Sequence, residues 1–186
     1  MGDTAAVTFR AAVPGDADAI AQVHVASWRA AYRGIIPDDH LDGLDWREWA
    51  TVRRGQLEQA AENGIRVDVA LDGGASIVGF VAIGPERDAD PSEPPGYEVY
   101  ALYLAPGAWG RGIGRDLLVR ALSHVPDATQ VVLWVLEGNV RGRAFYEEQG
   151  LRADGTRTRI HIGGTDLPEL RNRLQRTGQG AKPSER

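Results

Sequence analysis

Three glycines in one short stretch are the residues whose spacing most directly suggests chemistry. Gly110, Gly112 and Gly114 alternate with Arg111 and Ile113, and glycine lets backbone N–H groups approach a ligand with no side chain in the way. Apolar residues recur at helical spacing immediately afterwards, so these N–H groups would lie at the positive end of a helix dipole. We therefore expect a phosphate or pyrophosphate to bind at this turn.

The spacing of the turn excludes two common nucleotide-binding motifs. A dinucleotide fingerprint needs glycines at relative positions one, three and six, and the sixth position counted from Gly110 is Arg115. A P-loop needs a lysine directly after its last glycine, whereas Gly112 is followed by Ile113. A phosphate-bearing ligand of this turn must therefore be of another kind, and a tight turn that binds no ligand is the alternative.

Strands and helices that would position this turn can be read on both sides of it. The strand-like run Tyr97–Leu104 leads into the turn, and an amphipathic helix follows it. A second run, Gln130–Leu136, is almost continuously apolar, which is typical of a central strand covered on both faces. Asn139 would cap a helix that reaches about Gln149 and ends at Gly150.

The rest of the chain predicts further strands and helices of one domain spanning residues 1–174. We expect strands at Val7–Val13, Arg66–Leu71 and Ala75–Ile83, helices from Asp16 to about Tyr32, from Pro37, and over Asp45–Glu62, and two closing strands, Leu151–Ala153 and Thr156–Ile162, around Asp154–Gly155. Pro85–Gly96 is a polar, Pro-rich loop. The polar residues 175–186 predict a disordered tail.

Composition excludes several classes of protein. Of the 186 residues, 42% are hydrophobic and 25% are charged, as in a soluble globular domain. The absence of cysteine excludes disulfides and thiolate metal sites, and the four histidines lack metal-ligand spacing, so we expect no metal. A net charge of −5 without a basic run speaks against nucleic acid as a partner. With no membrane-spanning run and no signal peptide, we expect a cytoplasmic protein that does not bind membranes.

The glycine turn resembles the pyrophosphate loop of the GNAT superfamily of acyl-CoA-dependent N-acyltransferases. That family's pattern is Gln/Arg-x-x-Gly-x-Gly/Ala after the fourth main strand, and Gly112 and Gly114 match it. Trp109 stands where Gln or Arg is usual. A backbone-amide site does not depend on that side chain.

A second segment, from Leu133 to Leu151, is similar to the part of GNAT proteins in which a strand is followed by Asn, then Phe-Tyr, then Gly and an apolar residue. The matching residues are Asn139, Phe145, Tyr146 and Gly150, while Gly142 stands where the family often has Ala. The segment from His24 to Pro37 is also similar to many bacterial GNAT members. Because the order of elements agrees from Val7 to Ile162, the resemblance covers most of the chain.

The resemblance implies a fold and an activity. The fold would be α/β, with a mixed, mostly antiparallel central sheet of about seven strands, helices on both faces, and splayed fourth and fifth strands. The activity would be transfer of an acetyl group from acetyl-CoA to a primary amine of a small molecule, peptide or protein by direct attack in a ternary complex. The alternative is a non-catalytic acyl-CoA-binding sensor, although Tyr146 favours an enzyme. A homodimer is compatible with either.

The resemblance also implies roles on the acetyl-CoA side. Backbone groups of Leu102, Tyr103 and Leu104 would hold the pantetheine and the thioester carbonyl, with an N–H stabilising the developing oxyanion. The loop residues Trp109, Gly110, Arg111, Gly112, Ile113, Gly114 and Arg115 would surround the pyrophosphate. Asn139 would contact the pantetheine arm, and Tyr146 would protonate the departing thiolate. The alternatives are a plain helix cap for Asn139 and a packed aromatic with a satisfied hydroxyl for Tyr146.

The acceptor side needs a base, because an alkyl amine is protonated near neutral pH. In simple strand alternation Glu98 shares a face with Tyr100 and Leu102, which makes Glu98 the candidate base; the alternative is an exposed strand carboxylate. Trp28, Tyr32 and Tyr100 are the candidate residues of an acceptor pocket, and core packing is the other explanation for Trp28 and Tyr32.

Overall fold

A single mixed sheet organises the protein. The structure is a computed structural model and describes residues 6–87, 89, 94–127 and 129–174. The strands are β1 (Thr8–Ala11), β2 (Arg66–Leu71), β3 (Ile77–Pro85), β4 (Tyr97–Leu104), β5 (Val131–Leu136), β6 (Leu151–Ile162) and β7 (Thr165–Leu174), in the spatial order β1-β2-β3-β4-β5-β7-β6. Only β4 and β5 pair in parallel among these neighbours. The predicted α/β class with a mostly antiparallel seven-stranded sheet is confirmed.

Helices cover both faces of this sheet. They are α1 (Ala17–Ala31), α2 (Asp38–Asp42), α3 (Trp46–Gln59), α4 (Ile113–Leu122) and α5 (Val140–Glu148). On one face, Ile20 of α1 and Leu57 of α3 are buried against Phe80. On the other face, Leu117 of α4 is buried in a separate cluster with Leu133. The sheet thus has an α1/α3 face and an α4 face, each with its own core.

Local capping explains where two of the helices begin, and corrects the expectation for a third. The Asp45 carboxylate accepts a hydrogen bond from the Arg47 N–H at 2.9 Å, at the start of α3. Asn139 caps α5 as predicted. Asp16, predicted to cap α1, instead accepts from the Val13 N–H at 2.8 Å and binds the Arg10 guanidinium, so it fastens the turn that precedes the helix.

The closing strands differ from the prediction. Leu151 to Ile162 forms one strand, and a register irregularity at Asp154–Gly155 interrupts its pairing without ending it. The turn lies further on, at Gly163 and Gly164, whose φ angles of 58° and 78° suit a two-residue hairpin. The prediction therefore placed the hairpin turn too early and omitted β7. The predicted tail, 175–186, lies outside the described residues.

The strands β4 and β5 separate soon after they meet, as expected from the resemblance. Their pairing covers Tyr97 with Val131 and Glu98 with Val132, at the start of both strands. Beyond that point a gap opens in the middle of the sheet. No helix in the described part of the chain is long and apolar enough to cross a membrane.

Candidate active site

A cavity of about 1110 Å³ passes through the gap between β4 and β5. Its wall contains nearly all the residues predicted for the site: Leu102, Tyr103, Leu104, Trp109, Gly110, Gly112, Ile113, Gly114, Arg115, Asn139 and Tyr146, together with Trp28, Tyr32, Glu98 and Tyr100. Arg111 is exposed and is not part of the wall. The structure thus brings the two predicted groups of residues into one space.

Two glycines of the loop are required by backbone conformation. Gly110 and Gly112 have φ angles of 73° and 80°, a region that side-chain-bearing residues rarely adopt. A Cβ atom at either position would have no atom within 4 Å, so their backbone faces open space. Gly112 directly precedes α4, whose first N–H groups therefore point into the cavity end that Trp109 to Arg115 form, called here the loop end.

Gly114 has a different role from the other glycines. A Cβ atom there would lie 3.3 Å from Leu104 Cδ1 and 3.5 Å from the Phe145 ring. The residue therefore lets α4 pack closely against β4 and α5. This close packing fixes the loop end relative to the gap in the sheet.

Trp109 takes part in the loop end through its side chain. Its indole N–H donates to the Leu104 carbonyl at 3.0 Å, which ties the loop to the end of β4. The guanidinium of Arg141, from α5, lies over the indole ring at 4.2 Å. Sequence reasoning missed Arg141, because only the packing of α5 on the loop reveals that it brings a positive charge where Trp109 replaces the usual Gln or Arg.

Asn139 and Tyr146 project from α5 into the cavity. The Asn139 Oδ1 accepts from the Gly142 N–H at 2.9 Å, and a Cβ at Gly142 would lie 2.5 Å from Asn139 Nδ2, so the glycine makes room for the cap. Burial raises the pKa of Tyr146, and nearby Tyr103 raises it further. The phenol of Tyr146 therefore keeps its proton well above neutral pH.

Phenolic groups from three elements meet beside the gap. The Tyr32 hydroxyl interacts with the side chains of Tyr103 and Asn139, and Tyr146 lies within electrostatic range of it. Burial raises the pKa of Tyr32 and of Tyr103. This cluster of neutral hydroxyl groups joins α1 and β4 to α5 at the centre of the cavity.

An aromatic wall closes the α1/α3 side of the cavity; it consists of His24, Trp28, Trp49 and Tyr103. The His24 ring stacks on Tyr103 at 4.5 Å and meets the edge of Trp49 at 4.4 Å. Burial lowers the pKa of His24 to about 3, and the charge of Arg53 contributes. His24 is therefore a neutral part of the wall at neutral pH. The sequence prediction included only Trp28 from this wall as an acceptor contact.

Glu98 lies at the cavity but is held by an ion pair. Its side chain is 1% exposed, and Oε2 accepts from the backbone N–H of Arg87 at 3.2 Å and from Arg87 Nε at 3.1 Å. The other carboxylate oxygen accepts from Arg87 Nη2. The same guanidinium lies over the Tyr100 ring at 4.6 Å. The alternative of an exposed carboxylate is thus wrong, and both oxygens have a partner.

The face assigned to Glu98 by simple alternation needs correction. A register shift in the β3–β4 pairing adds a residue to β4 at Tyr100. The β3 partners of Glu98 and Tyr103 are four residues apart, an even number, so these two side chains share one face of the sheet, the α1/α3 face. The β3 partners of Val99 and Leu102 are two residues apart, and these two side chains pack on the α4 face. Glu98 therefore faces the aromatic wall, and Leu102 does not.

A second carboxylate, Glu169, enters the cavity from β7. It pairs in register with Leu136 of β5, beyond the point where β4 and β5 part. Burial raises the pKa of Glu169, Arg87 opposes this, and Glu98 adds to it. In the described part of the chain, the Glu169 side chain makes no ion pair or hydrogen bond. The sequence prediction missed it because β7 was not recognised as a strand.

The divided sheet with the glycine loop at a helix N-terminus is the arrangement that the resemblance to acyl-CoA-dependent N-acyltransferases implies. The model of the acetyltransferase (GNAT) family matches residues 22–151. The chain belongs to this family and is an acyltransferase, as the sequence predicted.

Relatives and solved structures agree with this assignment. The chain is 33% identical to the uncharacterized N-acetyltransferase YuaI of Bacillus subtilis over 183 residues, covering 91% of this chain and 99% of the relative. It is 32% identical over 172 residues to Rv2775 of Mycobacterium tuberculosis, described as a probable N-acetyltransferase, covering 92% and 95%.

Two solved structures have a similar fold. The PaiA N-acetyltransferase of Thermoplasma acidophilum, in complex with coenzyme A, gives a TM-score of 0.69 at 20% identity, covering 89% of this chain and 98% of that one. The YncA protein of Salmonella typhimurium, solved with acetyl-CoA, gives a TM-score of 0.66 at 20% identity, covering 96% and 98%.

Proposed function

We propose that this protein transfers the acetyl group of acetyl-CoA to a primary amine by direct attack in a ternary complex. The observation that carries the proposal is the single cavity that joins the loop end to the aromatic wall through the gap in the sheet. Two substrates can therefore meet from opposite faces, and Tyr146 lies in the wall of the space they share.

The residues at the loop end fit the phosphate-bearing part of acetyl-CoA. Open backbone at Gly110 and Gly112 and the first N–H groups of α4 offer hydrogen bonds to a pyrophosphate. The separated strand β4 leaves Leu102 to Leu104 lining the cavity, where their backbone can hold the pantetheine arm and the thioester carbonyl. The PaiA and YncA structures, with coenzyme A and acetyl-CoA, support this choice of donor.

Protons move at two places in the proposed reaction. The amine nitrogen forms a bond to the acetyl carbon as the carbon–sulfur bond breaks, and Tyr146 gives its proton to the sulfur and regains one from solvent. The proton lost by the amine passes, directly or through water, to the carboxylate pair formed by Glu98 and Glu169, whose charges act on each other. Because Arg87 holds both oxygens of Glu98, a route through water suits that residue.

An amine-panel assay tests the function. The protein is incubated with acetyl-CoA and single amines, free coenzyme A thiol is measured, and acetylated products are detected by mass. Amine-dependent thiol release with a product heavier by one acetyl group is the expected result. Tight acetyl-CoA binding without release for any amine would instead indicate the sensor, the alternative that the sequence left open.

A further inference from the structure

The arginines of α3 differ in what surrounds them. Arg47 and Arg54 have acidic partners, Asp45 at 3.5 Å and Asp18 at 2.8 Å. Arg53 makes no ion pair in the described part of the chain, and its guanidinium donates a hydrogen bond to the uncharged Gln56 side chain at 2.9 Å. Of these three guanidinium groups, the one without an acidic partner is the one that lines the cavity.

The position of Arg53 follows from helical spacing. It lies four residues after Trp49 and four before the buried Leu57, on the side of α3 that turns toward the sheet. Its guanidinium lies over the Phe80 ring at 5.5 Å. Burial lowers the pKa of Arg53, which reflects the cost of keeping this charge away from water without an anion. The Arg53 guanidinium would therefore gain a favourable interaction from an anion that the chain itself does not supply.

Arg53 and Glu169 place opposite charges around one tyrosine. The two residues act on Tyr103 with opposite sign, Glu169 raising its pKa and Arg53 lowering it, against the larger effect of burial. Both residues line the same cavity, and no ion pair joins them. The cavity therefore has a negative and a positive group in its lining, both within electrostatic range of Tyr103.

We propose that the acceptor is an amine that also carries an anionic group, with its ammonium directed to Glu169 and its carboxylate or phosphate bound by Arg53. This inference rests on the proposed amine acetylation and adds the class of acceptor. Arg53 packs on Phe80 and beside Tyr103 on the α1/α3 face, whereas α4 and its core lie on the other face. Its anion is therefore a part of the acceptor and distinct from the phosphates of acetyl-CoA. The uncharged part of the acceptor would pack against the aromatic wall.

Matched acceptors test this class. Each pair has the same amine with and without an anion: tryptophan and tryptamine, phenylalanine and phenethylamine, γ-aminobutyrate and butylamine, and aminopropyl phosphate and propylamine. The carboxylate pairs and the phosphate pair distinguish the two kinds of anion. At saturating acetyl-CoA, kcat/KM for the anionic member of at least one pair should exceed that of its neutral member by about tenfold or more.

Variants at Arg53 test whether this residue causes the preference for the anionic acceptor. Arg53→Gln should bring the ratio of kcat/KM within the preferred pair close to one, mainly by raising KM for the anionic member. Arg53→Lys keeps the charge but loses the planar fork, so an intermediate ratio is expected. Arg54→Gln removes a positive charge from the neighbouring position outside the cavity and should leave the ratio unchanged. Circular dichroism and thermal unfolding show whether each variant is folded.

Calorimetry of the same compounds with the enzyme–coenzyme A complex separates this inference from the proposed function. If no amine is acetylated, the proposed function fails, and Arg53-dependent tighter binding of an anionic amine would still support the site. If both members of every pair react and bind equally, or if the preference persists in Arg53→Gln, the anion site is wrong while amine acetylation stands.

Discussion

The guanidinium of Arg141 lies 4.2 Å from the centre of the Trp109 ring. The same indole donates to the Leu104 carbonyl, so one side chain connects α5, the glycine loop and the end of β4. Arg141 thereby places a positive charge beside the backbone proposed to bind pyrophosphate.

Replacing Arg141 tests whether this charge contributes to donor binding. We expect Arg141→Gln to raise the dissociation constant for acetyl-CoA by about two- to fivefold, since an ion pair made by an exposed side chain such as Arg141 contributes up to about 1 kcal/mol. The difference should shrink at high salt because exposed charges are screened. Calorimetry at two salt concentrations measures both effects, with Arg54→Gln as the control. Equal affinities at low salt would remove Arg141 from the donor site.

A substitution at Gly112 tests whether backbone N–H groups of the loop end bind the pyrophosphate. Gly112→Asp should weaken acetyl-CoA binding at least roughly tenfold, because a carboxylate would stand beside the pyrophosphate at the helix N-terminus and a φ of 80° disfavours a side chain. Gly107→Asp is a matched control, since Gly107 precedes the loop, has no positive φ and has open space around it. Unchanged affinity in a folded Gly112→Asp protein would contradict the proposed pyrophosphate site.

Tyr146→Phe tests the proton donor. We expect acetyl-CoA affinity to be retained and turnover to fall by roughly 10²-fold if proton donation limits the rate. Because burial raises the pKa of Tyr146, the wild-type rate should show no loss from its ionisation up to about pH 10. Tyr97→Phe, at a residue that packs on the α4 face, is the control. Equal turnover numbers at saturating substrates would exclude Tyr146 as the acid.

Glu98→Gln tests one member of the carboxylate pair. The change removes the negative charge beside Arg87 and the effect of that charge on the pKa of Glu169, while shape is nearly kept. We expect lower turnover per unit acceptor, and a defect that shrinks as the pH rises, because more of the amine is then already neutral. Rate constants measured over roughly pH 6 to 10, with Asp166→Asn as the control on β7, give the ratio to wild type. A flat ratio near one would leave Glu98 without a role in proton transfer.

The low pKa of His24 predicts how the stability of the folded protein depends on pH. The folded protein holds the pKa of His24 at about 3, below its ordinary value of 6.5, so the unfolded chain binds the extra proton first as the pH falls. The stability linked to neutral His24 is complete above about pH 6.5 and is lost on acidification toward pH 3. Between pH 7 and about pH 4.5 the wild type should lose on the order of 2–3 kcal/mol more than His24→Phe. Urea unfolding of both proteins at several pH values measures this difference, and parallel pH profiles would show that His24 becomes protonated in the folded state.

Local sequence signals were enough to predict the parts of the site that lie close together along the chain. The glycine spacing located the loop end, and Asn139 was predicted as a cap and forms one. These features depend on backbone conformation and on hydrogen bonds a few residues apart, which residue type and spacing report directly. The strand Tyr97–Leu104 was also predicted with its observed bounds.

Features that depend on strand pairing and on packing between distant residues could not be predicted from local sequence signals. The extra residue at Tyr100 cannot be recognised from composition, yet it places Glu98 and Leu102 on opposite faces of the sheet instead of the same face. Charged residues recur at every second position from Glu169 to Arg173 of β7, and the strand follows a Gly-Gly turn, a signal that the prediction of a turn at Asp154–Gly155 did not use. Without β7, Glu169 could not be placed. Arg53 could be placed on a helix face, but only the folded chain shows that it makes no ion pair with the residues that the structure describes.

The division of the cavity between the two faces of the sheet has a consequence for how such a protein can change. In the proposed function, backbone groups of the loop end and of β4 bind the part that acyl-CoA donors share. The aromatic wall and Arg53 are side chains on α1, α3 and β4, on the opposite face. Substitutions there can redirect the enzyme to a new acceptor without disturbing the donor. In that arrangement, α3 is the element where a library for altered acceptor specificity would be built first.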